Sequence, residues 1–156
     1  MINTLQDLLT FENIYLFANW GVVPFWLLLI FMPNHPITKF FCHSVIPFLL
    51  LGVAYIYVSY QIFLEGIILE GFKLYFGLDG LDEIYANESV RLVFWLHFLA
   101  ISLFTGSWVA RDAIKYMIPK ILSIPCILIT YFAGPAGILI YWIIRIFYAK
   151  KISFND

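Results

Sequence analysis

Charged residues are scarce in this sequence. Only 12% of its 156 residues are Asp, Glu, Lys or Arg, about half of the ~25% found in typical soluble domains. Hydrophobic residues make up 63%, and a soluble fold of this size leaves too much surface in water to hide so large an apolar fraction. These proportions argue against a soluble enzyme or a disordered linker. The formal net charge of −1 gives no basic surface for nucleic acid, so we expect no nucleic-acid partner.

The residues that build common cofactor sites are also few. The chain has two cysteines, Cys42 and Cys126, and three histidines, His35, His43 and His97. No CxxC pair, glycine-rich phosphate loop or GxGxxG motif is present, so the usual zinc, nucleotide and dinucleotide sites are not predicted. We expect no metal and no cofactor. Any catalysis would use isolated acids, bases and hydrogen-bond donors in an apolar site.

Charged residues divide the sequence into four long charge-free stretches. The shortest, 92–110, has 19 residues and spans about 28 Å as a helix, close to the ~30 Å hydrocarbon core of a bilayer. The sequence therefore predicts an all-α polytopic membrane protein, a four-helix bundle surrounded by lipid. We place its transmembrane helices at about 14–32, 43–64, 91–110 and 120–145, in a single transmembrane domain over 1–156.

Four crossings would put both termini on one face of the membrane, side B, with the acidic connection 66–88. The other face, side A, would hold the turn at 33–36 and the connection 111–120. The positive-inside rule then leaves the orientation open, because side A has four cationic residues and side B has five. Side A would carry Lys39, Arg111, Lys115 and Lys120, and side B Lys73, Arg91, Arg145, Lys150 and Lys151.

Polar residues inside predicted spans are the main candidates for function. Counted from the span ends, four of them lie at one depth, about 6–9 Å from side B: Asn19, Gln61, His97 and Tyr141. Such residues also join helices by hydrogen bonds without any further role, and that interpretation stays open. His97 is the strongest candidate because histidine exchanges protons near neutral pH.

The third and fourth predicted helices each have a distinctive pattern. One face of the third carries His97, Ile101, Phe104, Thr105, Trp108 and Asp112. We interpret Arg111 and Asp112 as an anchor pair at the membrane interface. In the fourth helix Pro135 predicts a kink, and the Ala133/Gly137 spacing predicts close approach of another helix. The kink either serves packing or shapes a ligand groove.

Three runs of the sequence resemble a known membrane family. They are WLHFLAISLFTGSWVARDA (Trp95–Ala113), IPCILITYFAGPAGILIYWIIR (Ile124–Arg145) and NWGVVPFWLLLIFMP (Asn19–Pro33). These runs are similar to the neoxanthin synthase-like, or abscisic-acid-deficient-four-like, family of plant plastids and bacteria. The resemblance implies a role in carotenoid and xanthophyll metabolism. Plant members are linked to the conversion of violaxanthin to neoxanthin, an epoxide isomerisation that in principle needs no redox cofactor.

The resemblance also implies residue roles. His97 would transfer the proton as a catalytic group, and Asn19 and Tyr141 would donate to the epoxide oxygen. Family members often carry an acidic residue where this chain has Ser102, which leaves catalysis itself an open question. Substrate-binding candidates are Trp20, Gln61, Trp95, Thr105, Trp108, Gly134, Pro135 and Gly137.

The family resemblance implies a bacterial inner, photosynthetic or plastid-type membrane. The expected ligand is a carotenoid, and the partner is a second copy of the chain or another subunit of a membrane complex. The alternative to a carotenoid isomerase or carotenoid binder is a non-enzymatic membrane scaffold or assembly factor.

Overall fold

The computed structural model describes residues 9–152, and every regular element within that range is helical. The predicted all-α class is therefore confirmed. In chain order the elements are α1 (Phe11–Gly21), α2 (Val23–Phe31), α3 (Pro36–Phe41), α4 (Ile46–Leu64), a 3-10 helix (Ile67–Tyr75), α5 (Leu78–Tyr85), α6 (Glu88–Lys115), α7 (Lys120–Ala133) and α8 (Pro135–Ala149).

Within residues 9–152, three helical stretches are long and apolar enough to cross a membrane. They are Phe11–Phe31 with 21 residues, Pro36–Leu64 with 29 and Glu88–Lys115 with 28. A 20-residue helix is about 30 Å long, which matches the hydrocarbon core of a bilayer. These stretches contain nearly all of the first three predicted spans.

The predicted fourth span, 120–145, differs from the structure. It consists of two helices of 14 and 15 residues, each about 21–22 Å long and shorter than the ~30 Å core. The break lies at Gly134, whose φ of 21° and ψ of −84° are not helical. Pro135 has no N–H to continue the hydrogen-bond ladder, and glycine accepts a positive φ without a steric penalty. The chain therefore turns sharply where the sequence predicted a kink.

The two short helices pack against each other as a hairpin, called the C-terminal hairpin below (α7, Gly134 and α8). A Cβ added at Gly137 would lie 2.7 Å from the carbonyl oxygen of Cys126 and would overlap the backbone nitrogen and hydroxyl of Thr130. The Thr130 hydroxyl donates a 2.7 Å hydrogen bond to that same carbonyl. The close helix approach predicted at Gly137 is thus found, and α7 is the helix that approaches.

The described residues form two compact units. The first comprises 9–21 and 48–99. In it the acidic connection 66–88 is ordered as the 3-10 helix and α5, which pack together through a 2.7 Å ion pair between Lys73 Nζ and Glu83 Oε1. Gly80 lies directly against the backbone of Lys73. Ser89, at the start of α6, donates a 3.0 Å hydrogen bond from its hydroxyl to Glu65 Oε2, just after α4.

The second unit comprises 22–47 and 100–152. The Trp26 ring fits against Gly106, where an added Cβ would lie 2.5 Å from the indole, and it meets the Tyr131 ring edge-on at 5.1 Å. The Ser107 hydroxyl donates a 3.0 Å hydrogen bond to the carbonyl of Cys42. These contacts fix α2 and the segment after α3 against α6, and they fix α7 against α2. They provide the framework for the polar cluster described next.

Candidate functional site

The most concentrated polar chemistry of the second unit surrounds Asp112 on α6. The Tyr141 hydroxyl donates to Asp112 Oδ2 at 2.6 Å, and Arg145 Nε donates to the same oxygen at 2.7 Å. Arg145 Nη2 donates to the Tyr116 hydroxyl at 3.3 Å. Tyr141 and Arg145 are 0% and 1% exposed, and Asp112 is 9% exposed. We call these four residues the Asp112 cluster.

Aromatic rings enclose the guanidinium of this cluster. The Arg145 guanidinium carbon lies 4.7 Å from the Tyr116 ring centroid and 4.8 Å from that of Trp142. Trp108 stacks on Trp142 at 5.9 Å and meets the Tyr141 ring edge-on at 5.7 Å. Rings at these distances stabilise a desolvated cation through their electron-rich faces. The carboxylate and the rings together compensate the burial of the arginine charge.

The spacing of the residues explains why they meet. Trp108, Asp112 and Tyr116 follow one another at intervals of four, so they share one face at the end of α6. Tyr141 and Arg145 have the same interval on α8. The sharp turn at Gly134 brings the second face to the first, so the cluster depends on the C-terminal hairpin.

The arrangement combines an acid or base with hydrogen-bond donors in a dry environment. The Asp112 carboxylate can accept a proton, and the Tyr141 hydroxyl and Arg145 guanidinium can donate hydrogen bonds to an oxygen. Electrostatic effects are strong in such water-poor surroundings. Within residues 9–152 no three His, Cys, Asp or Glu side chains are close enough to hold a metal ion.

The structure places several predicted site residues in the first unit. His97 is exposed, and its ring centroid lies 6.3 Å from that of Tyr55. Trp20 is 68% exposed. Asn19 and Gln61 are half-buried. None of these four residues belongs to the Asp112 cluster.

Trp95, also in the first unit, lines an open groove of about 430 Å³. The groove combines four aromatic rings with three charged side chains and is lined by Phe11, Glu12, Tyr15, Tyr85, Glu88, Arg91, Leu92 and Trp95. The Trp95 ring stacks on Phe98 at 5.4 Å and contacts Tyr15 at 6.1 Å. Trp95 is thus the one predicted substrate-binding residue found in this groove.

A second cavity, of about 320 Å³, lies in the second unit between α2, the end of α6 and the start of α7. Its walls are mainly apolar and include Ala110, Ala113 and Met117 of the α6 region. These positions differ from the 108–112–116 face of α6 that carries the Asp112 cluster. None of the predicted site residues lines this cavity.

The remaining predicted residues lie in the second unit. Trp108 packs against the Asp112 cluster, and Thr105 is half-buried one turn earlier on α6. Gly134 and Pro135 form the turn of the C-terminal hairpin, and the face of Gly137 is covered by α7.

The predicted polar layer is wrong for Tyr141. Asn19, Gln61 and His97 belong to the first unit, whereas Tyr141 belongs to the second and binds Asp112. A single fourth helix that starts at side A, beside Asp112, would carry Tyr141 across the membrane to side B. The reversal at Gly134 excludes that position.

The interpretation of Arg111 and Asp112 as an interfacial pair is also wrong. Arg111 is exposed, whereas Asp112 is buried and pairs with Arg145. A single fourth helix over 120–145 would put Arg145 near side B, and the reversal at Gly134 excludes that position as it does for Tyr141. The four-residue spacing of Tyr141 and Arg145 in an otherwise apolar helix was the signal that could have indicated a buried polar partner.

Comparison with known proteins gives a consistent assignment. A family model described as "ABA DEFICIENT 4-like" matches residues 13–141. The chain is 25% identical over 142 residues to Protein ABA DEFICIENT 4, chloroplastic, of Arabidopsis thaliana, an alignment that covers 86% of this chain and 61% of that protein. The chain thus spans about three fifths of the length of this curated relative. No solved structure matches. The resemblance found in the sequence is confirmed: the chain belongs to the ABA DEFICIENT 4-like family.

Proposed function

We propose that the protein is an integral membrane protein of carotenoid metabolism that binds a carotenoid and isomerises its epoxide group without a cofactor. Family membership and the three long apolar helices support the metabolic role and the membrane setting. The observation that carries the chemical proposal is the Asp112 cluster, a buried carboxylate that shares one oxygen between a tyrosine and an arginine.

The reaction is an internal rearrangement in which all atoms balance. A carbon–oxygen bond of the epoxide breaks, the oxygen becomes a hydroxyl, and a neighbouring polyene carbon loses a proton as a cumulated double bond forms. Arg145 and Tyr141 would hydrogen-bond the developing alkoxide, which lowers the barrier most effectively in dry surroundings. Asp112 would take the carbon-bound proton, and the proton would end on the oxygen.

His97 is a rival proton-transfer residue, with Asn19 as a donor. An imidazole ring can both donate and accept a proton, which suits general acid–base catalysis. His97 is exposed beside Tyr55, so a substrate would meet it at the surface of the first unit. The two assignments make opposite predictions, because His97→Ala leaves the Asp112 cluster intact.

A non-enzymatic scaffold is the second candidate function. One observation favours it: Asp112, Tyr141 and Arg145 already bond to each other, as they would in a network that serves helix packing. In that case the protein would help to assemble a membrane complex rather than convert a carotenoid. Pigment binding separates the two candidates, since a scaffold needs no polyene ligand.

The binding test uses detergent-purified protein incubated with an epoxidised xanthophyll and passed through a sizing column. We expect polyene absorption bands to elute with the protein. Absence of those bands, with the protein still monodisperse, would favour the scaffold.

The activity test compares the carotenoids of cells that express different variants, by chromatography. We expect conversion of the epoxide by the wild type and its loss in Asp112→Asn and Tyr141→Phe. The matched control is Tyr131→Phe, which removes a hydroxyl from α7 outside the cluster. Loss of conversion in His97→Ala with full activity in Tyr141→Phe would transfer the catalytic role to His97.

A further inference from the structure

We infer that the C-terminal hairpin is re-entrant, so that α7 and α8 enter and leave the membrane on side A. The chain then crosses the membrane three times. Its basic side A faces the cytoplasm, or the stroma if the membrane is that of a plastid. This inference rests on the proposed insertion into a membrane. It assigns an orientation that four crossings left open.

The contacts of the hairpin support a return to the starting side. Near the turn, Gly137 lies against Thr130 and Cys126 of α7. Farther along α8, Arg145 reaches Asp112 and Tyr116, which precede the start of α7 at Lys120. The end of α8 therefore lies close to the beginning of α7, as antiparallel helices require.

Helix length supports the same conclusion. Each helix of the hairpin is about 21–22 Å long and cannot reach across a ~30 Å core alone. Irregular backbone at membrane depth is tolerated where protein covers it. Gly134, the residue of the turn with non-helical backbone angles, is buried. Its irregular backbone is therefore covered by protein.

The re-entrant hairpin changes the distribution of charge. It moves Arg145, Lys150 and Lys151 to side A, which then holds seven of the nine cationic residues. Side B keeps Lys73 and Arg91. Without Arg145, whose charge is paired with Asp112, the difference is still six against two. Four crossings gave four against five, so a single turn converts parity into a strong bias.

The acidic residues show the opposite bias. Seven of the ten lie at the side-B ends of the helices or between them: Glu12, Glu65, Glu70, Asp79, Asp82, Glu83 and Glu88. Lysine and arginine in short connections determine orientation, and they are retained on the cytoplasmic side. Side A is therefore the face that lies against the anionic headgroups of the cytoplasmic leaflet.

The test uses three variants that each add one cysteine, Leu78→Cys, Met117→Cys and Ile152→Cys, at positions that are 78%, 85% and 75% exposed. The native Cys42 and Cys126 are buried, so the wild type serves as the labelling control. Intact and permeabilised bacterial cells that express each variant are treated with a membrane-impermeant maleimide. We expect Leu78→Cys to react in intact cells, and Met117→Cys and Ile152→Cys to react only after permeabilisation.

Three other results would overturn the inference. Labelling of Ile152→Cys in intact cells, with Met117→Cys protected, would establish a fourth crossing. Labelling of both, with Leu78→Cys protected, would establish the reverse orientation. Labelling of all three in intact cells would exclude a three-crossing topology.

A second measurement does not depend on these substitutions. Green fluorescent protein fused to the C-terminus of the unaltered chain should fluoresce, because side A is cytoplasmic. A dark fusion in the membrane fraction would contradict the inference. Recovery of the protein from the aqueous fraction without detergent would instead refute the proposed membrane insertion itself, so the two failures can be told apart.

Discussion

The buried pair of Asp112 and Arg145 permits a quantitative prediction. Arg145 Nε and Asp112 Oδ2 are 2.7 Å apart, and the two side chains are 1% and 10% exposed. Unit charges about 4 Å apart interact by about 4 kcal/mol at an effective dielectric constant of about 20. Removing one partner also leaves the other charge buried, so breaking such a pair costs about 3–5 kcal/mol. We expect Asp112→Asn to lower the free energy of unfolding by that amount.

Double-mutant analysis isolates the contribution of the pair. Arg145→Met should cost about as much as Asp112→Asn, whereas the double variant should cost clearly less than the sum, because it leaves no unpaired buried charge. Tyr141→Phe removes a hydrogen bond to a charged group and should cost about 1.5–3 kcal/mol. Asp79→Asn, at an exposed site, is the matched control and should have little effect.

Unfolding in detergent micelles can be followed by tryptophan fluorescence, because Trp108 and Trp142 stack beside the cluster. The reasoning would be refuted if Asp112→Asn cost less than about 1 kcal/mol, or if the two single changes were simply additive. Either result would mean that water reaches the Asp112–Arg145 pair, which contradicts its burial in the structure.

Two further predictions concern other parts of the chain. Gly137→Ala should destabilise the protein by about 1–3 kcal/mol because the added methyl group overlaps the backbone of Thr130. The control Gly52→Ala, where no atom lies within 4 Å, should leave the free energy of unfolding unchanged or raise it in the same assay. Equal losses of stability in the two variants would argue against tight packing of the hairpin. The hydrogen bond to Glu83 raises the pKa of Lys73 above the ordinary lysine value. The ion pair therefore stabilises the fold fully at pH values below the ordinary lysine pKa, and this stabilisation is lost as the pH rises through the raised pKa. An NMR titration of the Lys73 side chain should give a lower midpoint in Glu83→Gln than in the wild type, and an unchanged midpoint would contradict the ion pair.

The first three helical stretches were predictable because charge-free length alone identifies them. The bounds of 14–32, 43–64 and 91–110 differ from the structural helices mainly where amphipathic ends extend beyond the apolar core, as α6 does at Glu88 and Lys115. Hydrophobicity reports where a helix prefers lipid. It does not report where the helix ends.

The hairpin and the cluster were less predictable, because both depend on the backbone at one residue. A proline after a glycine is compatible with a kinked crossing and with a complete reversal, and hydrophobicity is the same in both cases. The choice between them decides whether Tyr141 and Arg145 lie near His97 or near Asp112. Tertiary packing of Gly137 against Thr130 resolves the ambiguity. The Ala133/Gly137 spacing predicts a close approach at Gly137, but it does not identify α7 as the helix that approaches.

The pairing of residues 33 positions apart has a consequence for biogenesis. A ribosome adds about 5–20 residues per second, so Arg145 emerges about 2–7 s after Asp112. During that interval the Asp112 carboxylate lacks the Arg145 guanidinium that binds it in the folded unit. The buried carboxylate of the second unit is therefore neutralised only after α8 has been synthesised.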